Sequence, residues 1–124
     1  MILENTLKID SIPGEIGGIL LANFICNDPV YGRITVKRGF ETDFASVPGL
    51  VILPGLVPRS GKGIREASVV HDWIYRGNEG DRFTRAEADK IFLKVMECLG
   101  VAWLRRYAAY YGVRMGGFAS WKGA

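Results

Sequence analysis

The stretch "GKGIREASVVHDWIYRG", residues 61–77, decides how this chain is read. Before it, glycine and proline recur and helical spacing is absent. From Ile64 onward, Ile64, Ala67, Ser68, His71, Ile74 and Tyr75 fall on one face at helical spacing, so a helix over about 64–76 is expected. Gly77 supplies its end. The chain therefore changes near residue 60 from strands and turns to helices.

Immediately upstream lies "ETDFASVPGLVILPGLVPRSGKG", residues 41–63. Pro48, Pro54 and Pro58 forbid regular structure across it, and loops of this length are often functional. Further upstream, Ile19–Cys26 and Arg33–Arg38 read as strands. Asn27, Asp28, Pro29 and Gly32 provide turn chemistry between them, so a β-hairpin is expected. A short strand at Leu7–Ile9 precedes it. Downstream, Thr84 and Glu87 form a capping box that opens a second helix. Its stripe is Ala88, Ile91, Phe92, Val95, Met96 and Leu99, and Gly100 ends it. A third helix, about 101–113, carries Trp103, Tyr107, Tyr110 and Tyr111, followed by a glycine-rich tail with Phe118 and Trp121. The expected fold is α+β: an N-terminal β-hairpin and a long Pro/Gly loop packed on three C-terminal α-helices. It forms a single domain, 1–124, with a hairpin region 1–40, a loop 41–63, helices 64–115 and a tail 116–124.

Composition sets the class. Hydrophobic residues are 48% of 124, a globular proportion large enough for a core. The N-terminus lacks the basic, then apolar, order of a signal peptide. The longest apolar run, "VPGLVILPGLVP", is broken by three prolines and two glycines, so no transmembrane segment is expected. Cys26 and Cys98 read as core residues of a protein made in a reducing cytoplasm. The net charge of +3 is dispersed, with no nucleic-acid motif, which argues against a nucleic-acid partner.

The residues able to carry chemistry gather around the only histidine. If the first two helices pack antiparallel across a short connection, His71, late in the first, meets Asp89, early in the second. A carboxylate there fixes the imidazole tautomer and stabilises the imidazolium, which makes His71 a candidate general base. Tyr75, one turn further on, can donate to Asp89. The competing reading is a satisfied buried network without catalysis. Asp72 points about 100° away from His71 and is a candidate cation ligand or a cap for a loop amide. Asp43, beside Thr42 and Ser46 in "TDFASVP", is a candidate second carboxylate, although capping of local amides is the plainer use. One histidine and two distant cysteines make no zinc set. No cofactor is demanded, and calcium, held by Asp72 with backbone carbonyls, is the one candidate metal.

The blocks "GFETDFASVP", "ASVVHDWIYRG", "RAEADKIFLKVMECLGV" and "RYAAYYGVRMGG", in that order over about residues 33–121, resemble the phage and prophage family called domain of unknown function 1353. That resemblance implies a phage or prophage gene product. A looser resemblance, over His71, Asp72, Tyr75 and then Ala88, Asp89, Phe92, is to the helix pair of secretory and parvoviral A-two type phospholipases. It implies His71 as the water-activating base, Asp89 as its partner, Asp72 as a calcium ligand and Tyr75 as a donor to Asp89. Gly55, Gly61 and Gly63 do not reproduce the calcium-loop pattern of those enzymes.

Two functions are expected from these readings. The first is a virion-associated component, of the tail or head–tail region, made in the host cytoplasm and incorporated by contacts with other virion proteins. Val51, Ile52, Leu53, Leu56, Phe118 and Trp121 would be its interaction residues. The alternative is a small hydrolase directed at envelope lipid or peptidoglycan through a His71–Asp89 dyad.

Overall fold

The computed structural model describes residues 1–11, 17–42 and 63–123. Among these residues, six short strands come first: β1 (Ile2–Leu3), β2 (Ile9–Ser11), β3 (Gly18–Leu20), β4 (Phe24–Asp28), β5 (Gly32–Val36) and β6 (Glu41–Thr42). Three helices follow: α1 (Ile64–Tyr75), α2 (Arg85–Cys98) and α3 (Trp103–Gly116). Two short 3-10 turns close the chain. The strands form two antiparallel three-stranded sheets, ordered β1-β4-β5 and β2-β3-β6. The architecture is α+β, with strands N-terminal and helices C-terminal.

The hairpin is β4–β5, in the register Phe24↔Val36 through Asp28↔Gly32. Asp28 builds its turn: Oδ2 accepts from the amides of Val30 and Tyr31, both at 2.9 Å. Gly32 then closes it at φ +80°, a left-handed conformation that costs glycine little. Alternation places Phe24, Cys26, Ile34 and Val36 in the core.

The expected single strand over 19–26 is instead two strands in different sheets. The side-chain alternation continues, but the backbone partners change. Leu20 exchanges hydrogen bonds with Gly39 and Phe40, whereas Phe24 pairs with Val36. Between the two strands, Asn23 Oδ1 accepts from Arg38 N at 2.8 Å, just past the end of the β4–β5 ladder. The early strand also falls later than expected, at Ile9–Ser11.

Helix ends follow their local chemistry. Thr84 accepts from Glu87 N at 3.1 Å, and the Glu87 carboxylate accepts from Thr84 N at 2.9 Å. At the far end of α2, Val101 N donates to Met96 O at 3.0 Å across Gly100 at φ +76°. That bond holds Val101 outside α3, which starts at Trp103 and runs on to Gly116, later at both ends than the spacing predicted. The amphipathic reading of α1 needs correction as well. Besides the expected face, Val69 and Val70 are at 0% exposure and Trp73 and Asp72 at 8%, so α1 is buried on all sides. It lies between the β4–β5 sheet, α2 and the C-terminal tail. The Pro/Gly loop expected to pack on the helices lies, from residue 43 to 62, outside the described residues.

Candidate functional site

His71 and Tyr75 leave α1 one turn apart on the side facing α2. Tyr75 reaches Arg85 and Asp89 while His71 packs against Phe92, so the two helices run antiparallel. Asp89 is fully buried between them. His71 Nε2 lies 2.6 Å from Asp89 Oδ1, and the Tyr75 hydroxyl donates to the same oxygen at 2.5 Å. Both distances are those of charge-assisted hydrogen bonds. The imidazole is fixed on its faces by Tyr75, at 4.0 Å between ring centroids, and by Phe92 at 4.9 Å.

The other carboxylate oxygen is also engaged. Arg114, from α3, donates to Asp89 Oδ2 at 2.7 Å, and Arg85 stands 3.7 Å from the same atom. Arg85 in turn donates to the carbonyls of Val113 and Arg114, fastening the end of α3 to the start of α2. Burial raises the Asp89 carboxyl, but the hydrogen bonds from His71, Tyr75 and Arg114 outweigh it and hold the group below its ordinary range. Burial, together with the neighbouring carboxylate, pushes the Tyr75 hydroxyl up. The pair is therefore a carboxylate and a neutral phenol.

These contacts assign the histidine's nitrogens. Nε2 faces a carboxylate and donates to it, so in the neutral ring Nδ1 is the acceptor. Nδ1 is buried and has no hydrogen-bond partner among the described residues. A buried, unpaired lone pair is uncommon and calls for an explanation in chemistry or in a bound molecule.

Asp72 sits elsewhere. Its Oδ2 accepts from Thr42 Oγ1 at 2.6 Å, which ties β6 to α1, and Arg76 Nη2 lies 3.6 Å away. Arg76 extends the link by donating to Glu41 O at 2.6 Å. A guanidinium thus lies beside this carboxylate, and the backbone carbonyls of the Pro/Gly loop that would complete a calcium site with it lie outside the described residues. Among the described residues, no group of three or more His, Cys, Asp or Glu side chains could hold a metal ion. Asp43, Val51, Ile52, Leu53 and Leu56 lie outside the described residues. Phe118 is 66% exposed, and Trp121 packs edge-on against Tyr75 at 5.1 Å.

Sequence reasoning missed the two arginines. Arg85 precedes Asp89 by four residues, one helical turn, and that spacing was available. Arg114 carries no such signal, because its reach to Asp89 depends on how α3 folds back. A family model described as Protein of unknown function (DUF1353) matches residues 19–113, beginning at β3 and ending in α3. Neither a curated protein nor a solved structure matches the chain.

Proposed function

The chain belongs to the DUF1353 family, and from that premise we propose that it is a small phage- or prophage-encoded hydrolase directed at the cell envelope, with His71 as its general base. One observation carries the reading: Nδ1 has no partner among the described residues, in an imidazole whose other nitrogen is held by a buried carboxylate. In the proposed reaction, Nδ1 takes a proton from water as the water oxygen attacks an ester or amide carbonyl. The tetrahedral intermediate then collapses, the C–O or C–N bond breaks, and the proton on Nδ1 passes to the leaving alcohol or amine. Asp89 stabilises the resulting imidazolium and keeps the ring oriented, while Tyr75 and Arg114 hold the carboxylate. No step is routed through calcium. The motif blocks around "TDFASVP" and "HDWIY" support the phage or prophage origin.

The test uses His71→Asn and Asp89→Asn, each checked for folding by circular dichroism. Phospholipid vesicles and peptidoglycan sacculi serve as substrates, with and without added calcium. Turnover by the wild type that both variants lose supports the proposal. No turnover, or equal turnover in the variants, removes it.

A second reading treats the same network as a fixed strut within a virion component that acts by contacts. It is favoured by the full set of donors on Asp89 and by the 1% exposure of His71. Presence of the protein in purified virions, together with no turnover, would select it.

A further inference from the structure

The helix that delivers Arg114 to Asp89 turns a different face to solvent. Trp103, Tyr107, Tyr111 and Met115 recur every four residues along α3 and are exposed, as are Leu104 and Phe118. Its opposite face, Ala109, Gly112 and Val113, is buried. An aromatic and aliphatic stripe of this length exceeds the scattered apolar residues normal on a surface.

Charge says what the stripe fits. Residues 101–124 contain four cations, Arg105, Arg106, Arg114 and Lys122, and no aspartate or glutamate. The whole chain carries +3, so residues 1–100 carry a net −1 and the basic excess belongs to this segment. Arg114 is committed to Asp89 and Lys122 to Asp81. Arg105 is exposed, and Arg106, half-buried, donates to Val101 O at 3.1 Å and stands over the Tyr107 ring at 5.5 Å; neither has an ion pair among the described residues. Lys90, exposed on α2, stands over the Tyr110 ring at 5.6 Å. Tryptophan and tyrosine, apolar with a polar tip, settle at the level of lipid headgroups, and arginine beside them attracts anionic lipid. A second copy would offer this face only more cations and no acid from the same segment.

We propose that the exposed face of α3, with Phe118, is a docking surface for an anionic phospholipid bilayer, on which the helix lies in the interfacial plane. No helix among the described residues is long and apolar enough to cross a membrane, so the contact is peripheral. The inference rests on the envelope-directed part of the proposed function and not on the chemistry of the dyad. It deepens that reading, because Arg114 of the same helix bonds Asp89 and so links the docking helix to the dyad.

The test is co-sedimentation of the full chain with vesicles of phosphatidylcholine alone or mixed equally with phosphatidylglycerol. Tryptophan emission is followed in parallel. Binding is expected only with the anionic vesicles, with a blue shift and weakening by salt. The triple variant Trp103→Ser, Tyr111→Ser, Met115→Ser and the charge variant Arg105→Glu, Arg106→Glu should each lose about tenfold or more. Trp103, Tyr111, Met115 and Arg105 are exposed, whereas Arg106 is half-buried and bonded to Val101 O, so Arg105→Glu alone is run beside the pair and circular dichroism verifies each fold. His71→Asn should bind as the wild type does, which keeps failure of the hydrolase reading separate from failure of this one. Four results overturn the proposal: no vesicle binding, equal binding by both variants, a dimer in solution abolished by the triple variant, or preferential capture of single-stranded nucleic acid through the same residues.

Discussion

Asp89 is a buried carboxylate with a donor at every approach: His71 and Tyr75 on one oxygen, Arg114 and Arg85 on the other. Replacing it with asparagine puts an amide donor against at least one set of these donors and leaves two guanidiniums without their anion. Asp89→Asn should therefore lose about 3 kcal/mol of stability, read as a lower urea midpoint at pH 7. The guanidiniums are partly exposed, and water recovers some of the loss. Cys26 offers a second measurement at this scale. Burial, with smaller contributions from Cys98 and Glu4, pushes its thiol up to about 12. At pH 8 a thiol reagent should label exposed Cys98 in the native protein and Cys26 only on unfolding. Two thiols reacting at one rate in the native state would refute this.

Gly63 shows how an element boundary is set by what packs beside it. It precedes α1 at φ +88°, and a Cβ there would lie 2.5 Å from Val101 Cγ2. Gly63→Ala should destabilise by about 1–3 kcal/mol through strain in the left-handed conformation and the clash. Val101→Ala in the same chain should relieve only the clash, so partial recovery in a thermal melt is the expected result. The sequence announced this boundary through the change to helical spacing at Ile64, and it announced α2 through Thr84 and Glu87. It also placed His71 and Asp89 on a common seam, because helical spacing and a short connection are local information. It did not announce the break at Leu21–Asn23, since Leu20 and Phe24 keep the same alternation across it and only the non-local pairing to Phe40 and Val36 differs. Nor did it reveal that α1 is enclosed on all sides or that Arg114 completes the ligation of Asp89. Both depend on how the sheet, tail and α3 return to α1. Gly117 is one mark of that return: a Cβ there would lie 2.6 Å from the Tyr75 hydroxyl.

At the scale of the molecule, three carboxylates fasten the strand half to the helical half and the helices to one another, Asp72 through Thr42, and Asp28 and Asp89 through cations. Lys94 donates to both oxygens of Asp28 at 3.0 Å, joining α2 to the β4–β5 hairpin. Asp89 joins α1, α2 and α3. Burial raises the Asp28 carboxyl, but the Tyr31 and Val30 amides and the Lys94 ammonium outweigh it, so Asp28, like Asp89, lies below the ordinary 3.8. A carboxyl depressed in the folded state contributes stability that is fully present above its unfolded value and is lost as pH falls through its folded value. Glu79 acts in the other direction, because burial raises it despite Arg82, so its contribution diminishes as pH rises. With two depressed carboxyls at the main junctions, the urea midpoint should fall as pH drops below about 4. Asp28→Asn and Asp89→Asn should each start lower at pH 7 and lose less on acidification, so that their curves converge on the wild type in acid. Parallel curves for wild type and both variants would show that neither junction governs acid unfolding.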